Sequence, residues 1–254
     1  MGDSMTNQMA TGTDFRHVDV ATLNPREQLA LLARVLHTEG YDDHNLGHIT
    51  YRLDDGTFLV DPWELAWNEV RASDVVRMDA HGEKLEGEWS ITPAIPLHLA
   101  VHDLRPDIRW ALHNHPTWSA VAAAQRRLPA AYDQMACFID EDDVTIFSDF
   151  DGTVAADNIA MNNAIALGDR NIAILANHGV LVVGTTMRLA YQRAAMLAWR
   201  CRLGWMVDSA GGGHPVPKAI AQPLAQRSIE QGGIPHMLEM MIRQELVRDR
   251  SVLD

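Results

Sequence analysis

The stretch from residue 171 to residue 186 constrains the fold more than any other. Two short apolar runs, 171–175 and 180–183, flank Asn177-His178-Gly179, and Gly184-Thr185-Thr186 follows. Runs of four or five aliphatic residues bounded by turn residues read as strands. Thr185 or Thr186 then caps a long helix reaching about Val207. Upstream, 48–53 and 57–60 form a hairpin around Asp54-Asp55-Gly56, and 74–78 with 84–88 form another around Asp79-Ala80-His81-Gly82. Asn24-Pro25-Arg26-Glu27 supplies a cap, a first-turn proline and a capping-box glutamate for a helix whose stripe is Leu29, Leu32, Ala33 and Leu36, ending near Gly40. Helices are expected at 92–104, 117–125 and 155–167, and strands at 108–112 and 144–147. Hairpins mixed with helices, rather than strict alternation, predict an α/β fold: a sandwich around a mainly antiparallel central sheet. Residues 1–22, without a period, read as a flexible tail, 23–210 as the main domain, and 211–254, after Gly211-Gly212-Gly213, as a C-terminal helical extension.

Composition removes several function classes. The 254 residues carry 21 Lys and Arg against 34 Asp and Glu, a formal charge of −13. Nucleic-acid binders neutralise phosphates with a basic footprint, and none is present. No polybasic or lipidation signal suggests a membrane partner. The lysines are Lys84, in a turn, and Lys218, in a proline-rich stretch, so Schiff-base chemistry has no well-placed nucleophile. Cys137 and Cys201 are too few for a zinc ribbon, and Cys201 falls in an apolar helical pattern that reads as core. With no apolar signal segment near the start, a cytoplasmic location is expected.

The histidines carry the chemistry. His113-Asn114-His115 follows the strand expected at 108–112, and residues two apart on a strand share a face. His178 sits in the turn between two apolar strands, a rigid place for a third imidazole. Three nitrogen ligands with open positions describe a catalytic metal site, since structural zinc takes four protein ligands.

These residues resemble the class II aldolase/adducin family. Leu112-His113-Asn114-His115-Pro116 looks like its His-x-His segment, and 177–184 like its Asn-His-Gly segment ahead of the long helix. Gly47-His48-Ile49-Thr50-Tyr51-Arg52 is similar to its glycine-led strand, and 96–102 to the helix before the first ligands. The resemblance runs from about Asn24 to Val207. It implies a three-layer α/β/α sandwich, one divalent metal ion (Zn, Fe or Mn) on His113, His115 and His178, and a homotetramer with active sites near subunit interfaces. The family's aldolases carry a catalytic glutamate where this chain has Ala94. Their phosphate contacts correspond here to Gly47-His48, Pro62-Trp63 and Ile91-Thr92, and an indole cannot replace hydroxyls and N–H groups aimed at an anion. A sugar phosphate is therefore not the expected substrate. The pattern resembles a branch that includes the iron-dependent oxygenases of aminocoumarin pathways.

His48 replaces an asparagine that faces ligand in the aldolases, so it is a candidate for substrate contact or acid–base work, against a purely structural hydrogen bond. With Ala94 unable to act as a base, Glu141 is the candidate acid in the run Asp140-Glu141-Asp142-Asp143, although such runs are commonly solvated loops. His98 is expected to pack and hydrogen-bond behind the site, and His102 to lie on the helix surface. Trp63, Trp67 and Trp118 are pocket candidates, with core packing their commoner fate. The leading expectation is a metal-dependent lyase cleaving a carbon–carbon bond in a small non-phosphorylated carbonyl or oxo-acid compound. The alternatives are a non-heme iron oxygenase acting on a 2-oxo acid or aromatic compound, and a non-catalytic adducin-like module.

Overall fold

The computed structural model describes residues 18–148 and 157–254. Eight strands, β1 (His48–Arg52), β2 (Phe58–Val60), β3 (Val76–Met78), β4 (Lys84–Glu86), β5 (Trp110–Asn114), β6 (Val144–Phe147), β7 (Ile172–Leu175) and β8 (Val180–Gly184), form one sheet in the order β4-β3-β2-β1-β5-β8-β7-β6. Every pairing is antiparallel except β6 with β7. The helices are α1 (Pro25–Thr38), α2 (Ile95–Leu104), α3 (Thr117–Gln125), α4 (Asp157–Leu167), α5 (Met187–Ser209), α6 (Lys218–Glu230) and α7 (Met237–Arg248).

Alternation along the strands sorts the sheet's two faces. Ile49, Leu112, Ile174 and Val182 join Leu32, Leu36, Ala194 and Leu197 of α1 and α5 in one core. Ala111, Ala173, Leu181 and Val183 join Leu97, Val101, Ala160 and Ala164 of α2 and α4 in a second. The result is the expected α/β/α sandwich, with its polar histidines on the α2 side.

Local chemistry starts and stops these elements. Asn24 accepts the N–H groups of Arg26 and Glu27 while Glu27 returns a bond to the Asn24 N–H, and Thr186 caps α5 through the Leu189 N–H. Caps of this kind contribute about 1 kcal/mol each. Asn177 adopts φ 54° in the β7–β8 turn, a left-handed conformation that asparagine tolerates.

Several boundaries differ from the sequence reading. β5 starts two residues later than expected and runs on through Asn114, because its ladder with β8 continues to Asn114 opposite Val180. Of the tail expected over 1–22, residues 1–17 lie outside the described residues; Val20–Thr22 forms a short 3₁₀ turn capped by Asp19, and Val18 and Val20 pack on the first core. Residues 155 and 156 of the helix expected at 155–167 also lie outside. In the 211–254 extension, Leu238, Ile242, Leu246 and Val252 are buried in the same core as α1 and α5. Among the described residues no helix is long and apolar enough to cross a membrane.

Candidate metal centre

The start of β1, the end of β5 and the β7–β8 turn meet at one end of the sheet's central strands. His113, on the α2 face of β5, is 1% exposed, and its Nδ1 donates to the Val180 carbonyl at 3.0 Å. His115, just past the strand, donates from Nδ1 to the Asp43 carboxylate, which also accepts the His115 N–H at 3.3 Å and Asn114 Nδ2 at 2.9 Å. Each acceptor takes the Nδ1 proton of its ring, which leaves Nε2 of both rings to face a ligand. These two Nε2 atoms face each other 3.1 Å apart. The His178 ring lies 4.8 Å, centroid to centroid, from each of the others, and one ligand atom from all three falls within 4.8 Å.

This donor set fits a divalent cation. Two nitrogens bound at about 2.0–2.1 Å to one ion lie about 2.9–3.4 Å apart at ordinary bond angles, which spans the 3.1 Å between His113 and His115. The Val180 carbonyl and Asp43 fix the tautomers, as partners behind metal-bound imidazoles commonly do. Burial, reinforced by neighbouring histidines, holds His113 well below the usual imidazole range and His178 at about 4, so both are neutral donors at pH 7.

Two glycines make the close packing possible. A Cβ on Gly179 would lie 2.4 Å from the Asn114 carbonyl oxygen and 2.6 Å from His115 Cδ2. One on Gly47 would lie 2.0 Å from Asn114 Nδ2. The His-x-His segment is clamped between two backbones that must lack side chains.

His48 stands directly opposite His113 in the β1–β5 register, with ring centroids 4.9 Å apart. It is 1% exposed and held well below the usual imidazole range, first by burial and then by His98. Its Nδ1 meets His98 Nε2 at 2.8 Å, in line with the supporting role expected of His98. His102 is not on the helix surface. It is 2% exposed, because α2 turns it toward the Thr50 hydroxyl, 2.9 Å away.

Glu141 does not join the triad. It precedes β6, whose register with the parallel β7 sets Val144 beside Ile172 and Phe147 beside Leu175, so it lies at the end of these strands remote from His178. There it pairs with the buried Arg200 at 2.5 Å. The rest of the acidic run is also engaged: Asp142 with Lys218, Asp143 with Asn171, and Asp140 as a cap. Trp67 is core, donating to Asp61 at 2.8 Å, and Trp118 packs on Trp205 with centroids 5.3 Å apart. Trp63 is 38% exposed, and its backbone N–H is already given to the Ser90 carbonyl.

The sequence reading missed Asp43, Thr50 and Asp61. Asp61 is a buried carboxyl pushed up to about 7 by desolvation, against the pull of the Ile49 N–H and Trp67 Nε1.

The three imidazoles, the paired glycines and the sheet order agree with a sequence match over residues 27–205 to the family described as Class II Aldolase and Adducin N-terminal domain. The chain belongs to the class II aldolase/adducin family. A 3,4-dihydroxyphthalate decarboxylase of Arthrobacter keyseri is 30% identical over 202 residues, covering 74% of this chain and 80% of the relative. A 4-hydroxy-3-prenylphenylpyruvate oxygenase/4-hydroxy-3-prenylbenzoate synthase of Streptomyces roseochromogenus subsp. oscitans is 27% identical over 174 residues, covering 67% of this chain and 62% of the relative. The crystal structure of an aldolase II superfamily protein from Pseudomonas syringae superposes with a TM-score of 0.82 at 23% identity, covering 96% of this chain and all of that one. The family thus includes relatives named for decarboxylation and for oxygenation.

Proposed function

We propose that this chain is a divalent-metal-dependent lyase that decarboxylates a small, non-phosphorylated hydroxy- or oxo-acid. The observation that carries the reading is the donor cluster itself: three imidazoles, with no carboxylate in the cluster among the described residues, and His48 beside them. A divalent ion held by His113, His115 and His178 would supply Lewis-acid polarisation of a substrate oxygen.

The protein's own residues favour loss of carbon dioxide over retro-aldol cleavage. Retro-aldol cleavage needs a base to take a hydroxyl proton, and the methyl group of Ala94, at the start of α2, cannot serve. Decarboxylation needs no such base, only a proton for the carbon left behind, and His48, beside His113 and hydrogen-bonded to His98, is the candidate outside the triad to relay it. Asp43 is committed to orienting His115 and Asn114. Neither the Trp63 N–H, spent on Ser90, nor Thr92, 7% exposed, offers a phosphate contact. The named decarboxylase among the relatives supports the same class of substrate.

The oxygenase reading has its own support in the oxygenase-named relative and in a donor set that leaves coordination positions open. A homotetramer, and active sites near its interfaces, remain part of the proposal; Trp199 and Met206, 42% and 49% exposed on α5, support self-association.

Zinc-, manganese- and iron-loaded protein assayed with aromatic hydroxy-acids and 2-oxo acids separates the readings. Carbon dioxide release that persists without oxygen supports the lyase. Product formation that requires iron and consumes oxygen would replace it with the oxygenase, and no turnover of either kind would overturn both.

A further inference from the structure

Behind His48 runs an unbroken line of buried polar groups. His48 Nδ1 meets His98 Nε2 at 2.8 Å, His98 Nδ1 meets Thr50 Oγ1 at 2.7 Å, and the same oxygen meets His102 Nε2 at 2.9 Å. All four residues are at most 2% exposed. The chain's two outer atoms, His48 Nε2 and His102 Nδ1, are buried without a partner.

A neutral imidazole has one N–H and one bare nitrogen, and a hydroxyl has one proton. The line therefore admits two arrangements in which every bond is made and the hydroxyl proton is used. In the first, Thr50 donates to His98 Nδ1, His98 Nε2–H donates to His48 Nδ1, and His102 Nε2–H donates to Thr50. All three rings then carry the proton on Nε2. In the second, every bond is reversed, Thr50 donates to His102, and all three rings carry it on Nδ1. Any other state leaves a buried polar group unpaired (the Thr50 hydroxyl proton, where both rings donate to it), which costs about 1–3 kcal/mol. Burial holds all three rings neutral, so the bookkeeping involves no change of charge.

Arg52 breaks the tie. Its guanidinium donates to the His102 carbonyl and lies close enough to act on the His102 ring. A cation there disfavours an N–H on the outer His102 Nδ1 and favours a bare nitrogen.

We infer that Thr50 is the positioning residue that passes one direction, set by Arg52 beside His102, along the buried chain His48–His98–Thr50–His102, so that His48 presents an Nε2–H donor beside the triad. The inference rests on the proposed function only for what that N–H meets, a substrate oxygen or the carbon left by decarboxylation. The direction itself is a property of the resting protein.

The test is a long-range ¹⁵N–¹H correlation spectrum of the full-length, metal-free protein, which reads each histidine's tautomer without substrate or metal. The expected wild-type result is the Nε2–H form for His48, His98 and His102 together. Thr50→Val removes the hydroxyl while keeping the shape, and should leave His48 and His98 as a mixture of both forms, with Thr50→Ser restoring the single form. Where Thr50→Val fails to fold, His102→Phe serves instead: it cuts Thr50 off from the Arg52 end, so His48 and His98 should again become a mixture of both forms, and an unchanged His48 signal there would also overturn the inference. Wild-type His98 and His102 in opposite tautomers, an all-Nδ1–H chain, or an unchanged His48 signal in folded Thr50→Val would overturn the inference. An all-Nε2–H chain in a protein that fails every decarboxylation assay would leave it standing and remove the functional reading alone.

Discussion

Replacing Asp43 tests whether His115 is held for a metal or merely packed. The Asp43 carboxylate faces three donors: His115 Nδ1–H, the His115 backbone N–H at 3.3 Å and Asn114 Nδ2–H at 2.9 Å. Asp43→Asn can keep these bonds only if Asn114 turns its amide, which it can do because its Oδ1 is buried and unpartnered. What is lost is the charge. A bond to a charged group contributes about 1.5–3 kcal/mol and a neutral one about 0.5–1.5 kcal/mol. The difference is about 1–1.5 kcal/mol, roughly five- to tenfold in affinity. Asp43→Ala also frees the His115 tautomer and should cost nearer a hundredfold, the upper end for partners behind metal ligands, about 10–100-fold. Zinc titration against a chromophoric chelator at pH 7 measures both. Affinities within twofold of wild type in both variants would refute the claim that Asp43 prepares His115 as a ligand.

The buried histidines make the metal-free protein acid-sensitive. Burial and neighbouring charge hold His48, His98 and His113 well below the imidazole range, with His102 at about 3 and His178 at about 4. The unfolded chain takes up protons on these rings near pH 6.5 while the fold does not, so stability falls as pH drops from about 6.5 toward 4. Each ring contributes a slope of about 1.4 kcal/mol per pH unit at full effect. Asp61, protonated in the fold below about 7, offsets one such contribution. Denaturant midpoints that stay flat between pH 7 and 5 would contradict this. Gly179→Ala should destabilise the fold by about 1–3 kcal/mol through overpacking against Asn114 and His115, and weaken zinc binding; wild-type values in urea unfolding would refute the clamp. Ala94→Glu should not confer turnover of L-fuculose 1-phosphate, because the phosphate contacts remain absent; measurable retro-aldol activity would show that a carboxylate was all the site lacked.

The elements and the triad were legible because local chemistry decides them. Asn177-His178-Gly179 can only be a tight turn between two apolar strands, and His113 and His115 must share a face because one residue separates them. The missed residues depend on long-range pairing. Nothing marks Asp43 among 34 acidic residues until the fold brings it to a histidine 72 positions away. His102 reads as surface on α2, and is buried only because β1 places a hydroxyl opposite it. The acidic run that contains Glu141 looks like a candidate loop, yet its buried partner Arg200 lies 59 residues further along, on α5. Sequence spacing carried the three imidazoles proposed as metal ligands, while the groups that orient them came only with the sheet order.

Metal analysis of anaerobically purified protein tests the central claim most directly. The account predicts one divalent ion per chain in wild type and less than a tenth of that in His178→Ala, with the variant still folded. Stoichiometric metal retained by folded His178→Ala, or a wild-type protein that neither carries nor binds a divalent ion, would contradict it.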